Sequence, residues 1–279
     1  MISLGGMSTQ VAVKLFDATR DKQLDLAASN ALNARQIEAF EERIGSISSP
    51  QELIADTEVY TFVMRAFDLE DQIFGKALIR KALESDISDS DALVNRLSDP
   101  KIREMYETLG FAPEGGPSAN LDKVDWQSEM VDRFKERFVL NTAGEDNEGA
   151  RIALEFKSKA SEIDTWLDVL KDEDLGTFMR RALGLPDELI QVDLDRQIAL
   201  FEQKFDIEKL QDPAEVDKLV SRFSAIYDAV EGVSSLSSTV LTLMEGAVSI
   251  GQGSTFTAIT IDIPTITGGG SYSAYNAYR

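Results

Sequence analysis

The sequence predicts a mainly α-helical protein, a duplicated multi-helix module in two tandem repeats followed by a short β-prone C-terminal extension. Three observations predict it. The stretch Thr61-Phe62-Val63-Met64-Arg65-Ala66-Phe67-Asp68-Leu69 returns as Thr177-Phe178-Met179-Arg180-Arg181-Ala182-Leu183-Gly184-Leu185, 116 residues later. Held without a gap from Ala34 to Glu84, that offset gives thirteen identities in 51 positions, where average residue usage gives roughly three by chance. Apolar residues recur at helical spacing through both copies, and after Val230 the composition turns to Ser, Thr and Gly.

The elements follow in order. Val11, Leu15, Thr19, Leu24 and Leu26, set among Lys14, Asp17, Arg20, Asp21 and Lys22, predict a first, rather polar helix in residues 1–30. The first repeat, 31–111, opens with the stripe Ala34, Ile37, Phe40 and Ile44, which Gly45 is expected to end in a left-handed conformation. Ser49-Pro50 reads as N-cap and first helical position: serine accepts an orphan backbone N–H, and proline has no N–H to leave unpaired there. Asp56-Thr57 starts the signature helix, with Val59, Phe62, Val63, Ala66 and Phe67 inward. A helix over 70–85 is expected to bury Ile73, Phe74, Leu78, Ile79 and Leu83, and helices over 88–97 and 100–109 complete the copy, the last capped by Asp99-Pro100.

Two prolines and two glycines between Pro113 and Pro117 make 112–123 a linker loop. The second repeat, 124–230, resumes with Trp126, Met130, Val131, Phe134 and Phe138 on one face. It continues through Ile152/Phe156/Ile163, Trp166/Leu167/Leu170, Phe178/Met179/Ala182 and Leu189/Leu194/Ile198/Phe205. Asp212-Pro213 opens its last helix, carrying Val216, Leu219, Val220, Phe223, Ile226 and Tyr227. Residues 231–279 form the tail, in which 254–266 is β-branched and roughly alternating and reads as strand. A lone strand leaves its backbone unpaired. Phe256, Ile259, Ile261, Ile263, Tyr272, Tyr275 and Tyr278 are therefore the candidate interface residues.

Composition excludes several functions. The chain of 279 residues carries 49 acidic and 28 basic residues, a formal net charge of −21. That balance argues against nucleic-acid partners, which are held by clustered Lys and Arg releasing counterions. With no Cys and no His, thiolate, disulfide and zinc-thiolate chemistry is absent, and so is the commonest general base. Neither a cleavable signal peptide nor a membrane-spanning run is apparent, since the longest apolar stretch, 240–250, is short and contains Glu245.

No motif carries catalysis. The repeated Thr61, Phe62, Arg65, Ala66 and Thr177, Phe178, Arg181, Ala182 read as architecture, the aromatic and Ala packing while Arg pairs with acids such as Asp56/Asp172 or Asp71/Asp187. The Asp86–Asp91 cluster lacks the glycine and distal glutamate of a calcium loop, and its Asp and Ser residues read as caps for a helix near Asp91. Gly144–Gly149 lacks the basic residue of a phosphate loop and reads as a turn. Trp126 and Trp166 read as core. Catalytic, cofactor and metal residues are expected to be none.

The runs Leu53–Asp56 with Tyr60–Asp71, Asn147–Leu154, Phe178–Pro186 and Phe205–Pro213 together resemble an alphaproteobacterial domain family of unknown function, DUF1217, whose genes often lie among flagellar genes. The similarity spans roughly 30–230. What it implies is a flagellar context, with flagellar proteins or copies of itself as partners. The expectation is a non-enzymatic structural or assembly protein of the flagellum, exported without a cleaved signal peptide and making contact through its tail. The alternative is a cytoplasmic helical adaptor or chaperone of flagellar export.

Overall fold

The computed structural model describes residues 2–250, and side chains through Glu231. The first half holds α1 (Thr9–Ser29), α2 (Ala31–Arg43), α3 (Pro50–Ala55), α4 (Thr57–Ala66), α5 (Lys76–Leu83), α6 (Leu93–Arg96) and α7 (Pro100–Leu109). The second holds α8 (Val124–Asp146), α9 (Glu148–Lys159), α10 (Trp166–Lys171), α11 (Glu173–Ala182), α12 (Leu194–Lys204) and α13 (Pro213–Ile250). Short 3-10 turns join several of them.

The duplication is structural. At the offset of 116 residues α3 falls on α10 and α4 on α11, end to end, and α1 begins within one residue of α8. The duplicated unit thus starts one helix earlier than the sequence identities reveal. Local chemistry explains the match. Asp56 accepts hydrogen bonds from the Glu58 and Val59 amides, both at 3.2 Å, and Asp172 accepts from Asp174 and Leu175 at 3.0 and 3.2 Å. Both acids occupy N-cap positions, where a carboxylate satisfies orphan donors and meets the positive end of the helix dipole.

Two separate apolar cores result, each built on a ladder of three phenyl rings. In the first, Phe40 stacks on Phe62 at 4.1 Å and Phe62 on Phe134 at 4.5 Å. In the second, Phe156 stacks on Phe178 at 3.7 Å and Phe178 on Phe223 at 4.6 Å. Complete burial of rings this size contributes about 2–3 kcal/mol each. The third ring comes from α8 in one core and from α13 in the other. The long α8 serves both cores: Trp126, Met130 and Phe134 enter the first, and Val139, Leu140 and Ala143 the second. The repeat boundary at 124 therefore divides the sequence but not the packing.

The N-terminal helix crosses to the second core, burying Ala12, Val13, Phe16 and Ala27 there. Its start is pinned by long-range bonds: the Leu4 amide donates to Asp146 at 2.7 Å and the Thr9 amide to Asp228 at 3.0 Å. The docking is close at Gly149, where a β-carbon would lie 2.5 Å from Thr9 Oγ1 and 2.6 Å from the Tyr227 ring.

Several expectations are corrected. In α1 the inward face is Ala12/Val13/Phe16, while Val11 and Leu26 stand exposed, because the face is set by the second core rather than by the local pattern. Gly45 does not adopt a positive φ; it lies in a 3-10 turn, Ile44–Ser46, that prolongs α2. The helix expected over 88–97 shrinks to α6, and its N-cap Ala92 has no capping side chain. Asp86 and Asp89 instead accept from the Ser88 and Asp91 amides in local turns, each at 2.9 Å. Gly144 lies inside α8, so the turn between α8 and α9 is Asn147 alone. Phe74 and Leu78 point outward rather than in. The chain divides into two compact units after Glu231, where the sequence changes composition, although α13 is not interrupted there. The candidate interface residues Phe256, Ile259, Ile261, Ile263, Tyr272, Tyr275 and Tyr278, and the β-prone reading of 254–266, lie outside the described residues.

Candidate functional site

The repeat signature is placed as architecture. Phe62, Ala66, Phe178 and Ala182 are fully buried. Thr61 and Thr177 are half-buried; Thr61 donates its hydroxyl to the Thr57 carbonyl at 2.7 Å, and Thr177 accepts from Arg180 at 3.0 Å. Arg65 pairs with Glu70 at 2.6 Å and donates to Gln36 at 3.0 Å. Arg181 lies 3.6 Å from Asp187 and 3.3 Å from Glu231, over the ring of Tyr227. Of the acids expected to pair with the signature arginines, Asp187 does so. Asp56 and Asp172 are engaged elsewhere, Asp56 with Arg43 at 3.3 Å and Asp172 with Lys159 at 2.8 Å.

The densest chemistry lies on the seam between the two cores. Arg133, Arg137 and Asn141 are spaced by four on α8, so they share one face. Arg133 pairs with Glu104 of α7 and lies over the Phe67 ring. Arg137 holds Glu155 of α9 in a two-pronged pair, one arm 2.7 Å long. Lys159 joins Glu155 and Asp172, each at 2.8 Å. Asn141 donates at 3.0 Å to Asp68, which Lys101 of α7 also reaches. The polar stripe thereby ties α4, α7, α8, α9 and α11 together. The apolar face of α8 is plain from its sequence pattern, and the only sequence signal for this second face is the four-residue spacing of its polar residues.

Asp68 has φ 55°, in the left-handed region, and at the repeat offset it corresponds to Gly184, φ 67°. Both end a signature helix the same way: the Leu69 amide returns to the Met64 carbonyl and the Leu185 amide to the Arg180 carbonyl, each at 2.8 Å. A side chain in that conformation is strained, and here its carboxylate is what contacts α7 and α8.

The charge states are fixed. Burial would push the Glu155 carboxyl up, but Arg137 and Lys159 beside it overrule that and hold it down at about 2. For Asp68, too, burial pushes up, and Lys101, Asn141 and Arg137 bring it below the ordinary carboxylate range. Beside this lies an open cleft of about 670 Å³ lined by Asp68, Lys101, Asn141, Arg151, Asp172 and Asp174. Its acids face paired cations: Arg151 donates to Asp174 at 2.8 and 2.7 Å. Among the described residues no cluster of three or more acids is placed to hold a metal ion, and no helix is long and apolar enough to cross a membrane.

A family model described as "Protein of unknown function (DUF1217)" matches residues 66–216. No curated protein matches the chain. Among solved structures, the chain is similar to the crystal structure of a protein from Agrobacterium tumefaciens determined by a structural genomics consortium, at 33% identity and a TM-score of 0.70. The similarity covers 82% of this chain and 96% of that one.

Proposed function

The chain belongs to the DUF1217 family of proteins of unknown function, and on that footing we propose that it is a non-enzymatic structural or assembly protein of the bacterial flagellum. Its helical body is a rigid block, and its C-terminal residues, β-prone in composition, dock onto a flagellar partner by strand addition.

One observation supports the non-enzymatic reading above the others. Among the described residues, each carboxyl group displaced from its ordinary range is displaced downward: Glu52, Glu58, Asp68, Asp86, Asp146 and Glu155. A carboxylate dyad doing acid–base work needs one partner raised toward neutrality so that it can donate a proton. Glu58, Asp68 and Glu155 are held ionised by Arg and Lys and are suited to locking helices together, while Glu52, Asp86 and Asp146 are held down by serine hydroxyls and backbone amides. The flagellar context rests on the family resemblance, and absence of Cys accords with it.

The test is co-purification with isolated flagellar hook and axial structures. The full chain is expected in that fraction, and a 1–231 truncation, which keeps the compact first unit of the chain, is expected to be folded but absent from it. Recovery of the full chain only in the cytoplasm, bound to an export substrate, would replace this reading with the adaptor. Turnover of a substrate that depends on the cleft carboxylates would replace both.

A further inference from the structure

Both copies leave an apolar pair in water beyond the signature helix: Phe74 in a turn and Leu78 within α5, Ile190 in a 3-10 turn and Leu194 at the start of α12. In the first copy Phe74 is 96% exposed and Leu78 41%; in the second, the residues 116 further on, Ile190 and Leu194, are 58% and 46% exposed. An isolated exposed apolar residue is ordinary. A pair in one copy answered by a pair at matching positions in the other is not scatter. A phenyl ring left almost wholly in water forgoes stabilisation that any covering surface would supply.

The surroundings of the two patches carry opposite charge. Around Phe74 and Leu78, α5 contributes Lys76, Arg80 and Lys81 and no acid, and of the exposed acids just before Phe74, Glu70 is taken up by Arg65 and Asp71 remains. Within α5, Ala77 and Leu78 lie four and three residues before Lys81 and so share its face, and they and Phe74, in the turn before the helix, are all exposed. Among the described residues Lys81 has no ion-pair partner, and Arg80 has only Glu84 at 3.7 Å. Around Ile190 and Leu194 the acids are Asp187, Glu188, Asp193 and Asp195, all exposed, and they outnumber the one exposed base beside them, Arg196. Of these only Asp187 has an ion-pair partner among the described residues, Arg181 at 3.6 Å. In a chain of net charge −21, a basic apolar patch is the exception, and the surface that complements it is on the same molecule.

We propose that these two patches are the two halves of one head-to-tail interface between copies of this protein: Phe74/Leu78 with Lys76, Arg80 and Lys81 of one copy seat against Ile190/Leu194 with Glu188, Asp193 and Asp195 of the next. Apolar contact provides the attraction and the charges fix register and partner. Like patches repel through their like charges, so the two-fold pairing of equal surfaces is disfavoured. A heterologous contact of this kind closes into a ring or runs on as a filament. The area is modest, in the range of weak interfaces, so association strengthens with concentration and weakens as salt screens the charges. This inference rests on the assembly reading above but uses the body, not the C-terminal residues.

The experiment uses the full chain and two variants, with mass measured by sedimentation and light scattering from micromolar into the millimolar range. In one variant Phe74→Gln and Leu78→Gln remove the apolar contact of the basic patch; in the other Ile190→Gln and Leu194→Gln remove that of the acidic one, with no charge added to either. All four positions are exposed, and circular dichroism checks that both variants stay folded. The wild type is expected to form an open series of oligomers whose mean mass falls with added salt. Each variant alone is expected to be a monomer. Mixed in equal amounts, the two variants are expected to give a 1:1 heterodimer that grows no further, because each retains one competent face. Self-association of either variant alone, with the wild-type series intact, would overturn the patches while leaving flagellar assembly standing. A heterodimer that fails to form from two folded monomers would overturn the pairing of unlike faces. A wild type that is monomeric throughout would remove self-assembly altogether, and co-purification with flagellar structures would then still test the docking role.

Discussion

The two copies keep the same frame and differ in the polar groups they bury. Each has its phenyl ladder, its aspartate N-cap and a basic residue on that aspartate: Arg43 on Asp56 and Lys159 on Asp172. The differences lie elsewhere. At the repeat offset, Glu155 of the second copy stands where the first has the buried Ala39, Arg180 where it has Met64, and Gly176 where it has Tyr60. The last two changes compensate: a β-carbon on Gly176 would lie 3.0 Å from Arg180 Nη1, so deleting the Tyr60 ring is what makes room for the guanidinium. The stacked phenyl rings Phe40/Phe156 and Phe62/Phe178 and the capping Asp56/Asp172 are retained, whereas the buried polar groups Glu155 and Arg180 belong to the second copy alone. A module that packs against its own twin needs two unlike faces, and the buried ion pairs of the seam supply that asymmetry.

The largest effect is expected at Glu155. Its side chain is 2% exposed and holds Arg137, whose own is 13% exposed. Glu155→Ala leaves that guanidinium desolvated without its counter-charge and should cost about 3–5 kcal/mol, read as the shift of a urea unfolding midpoint. Replacing both partners by apolar residues, Arg137→Met with Glu155→Leu, should recover most of the loss, since the penalty belongs to the unpaired charge. If the single and double variants are equally destabilised, the seam depends on the pair's geometry rather than its charge balance. The pair also sets an acid limit. Glu155 titrates at about 2 when folded and near the ordinary value of about 4.3 when unfolded. Its contribution is therefore complete above about pH 5 and is lost as pH falls toward 2. Stability of Glu155→Gln should fall less steeply than wild type across that window.

Much of the frame is legible in the sequence because its causes are local. Ser49-Pro50, Asp56, Asp99 and Asp212-Pro213 mark helix starts through bonds spanning two or three residues, and any chain with those residues meets the same orphan donors. The faces of α1 and α5 are not legible. The pattern Val11/Leu15/Leu26 is as periodic as Ala12/Val13/Phe16, and only the second core, more than a hundred residues away, selects between them. Phe74 is apolar and at core spacing, and no local rule distinguishes a buried phenylalanine from an exposed one. The seam is half legible: the charges at 133 and 137 are visible, but their partners Glu104 and Glu155 come together only when the helices pack.

The ion pair that occurs in both copies separates burial from chemistry. Arg35 pairs with Glu58 at 2.6 Å and, 116 residues on, Arg151 pairs with Asp174 at 2.7 Å, yet the Arg35 side chain is 74% exposed and that of Arg151 17%. Arg151→Ala should cost about 2 kcal/mol, in the range for hydrogen bonds to charged groups shielded from water. Arg35→Ala should leave the unfolding midpoint within scatter, as exposed pairs commonly do. Equal losses at the two sites would mean that the strength of this pair is set by its geometry and not by its shielding from water.

The smallest expected effect is at the left-handed helix ends, where the copies use different residues for one conformation. Gly184 adopts it without a side-chain clash; Asp68 adopts it with strain, and its carboxylate meets Lys101 and Asn141. Removing the carboxylate in two ways separates strain from contact. Asp68→Ala loses the contacts and keeps the strain, whereas Asp68→Gly loses both. The glycine variant should therefore be the more stable of the two by about 1 kcal/mol, and Gly184→Ala should cost a similar amount. If Asp68→Gly matched or exceeded wild type, the contacts across the seam would not offset the strain, and the reason for an aspartate there would lie in the cleft it lines. If it fell well below wild type, the carboxylate's contacts with Lys101 and Asn141 outweigh the strain and hold the first copy's signature helix against α7 and α8.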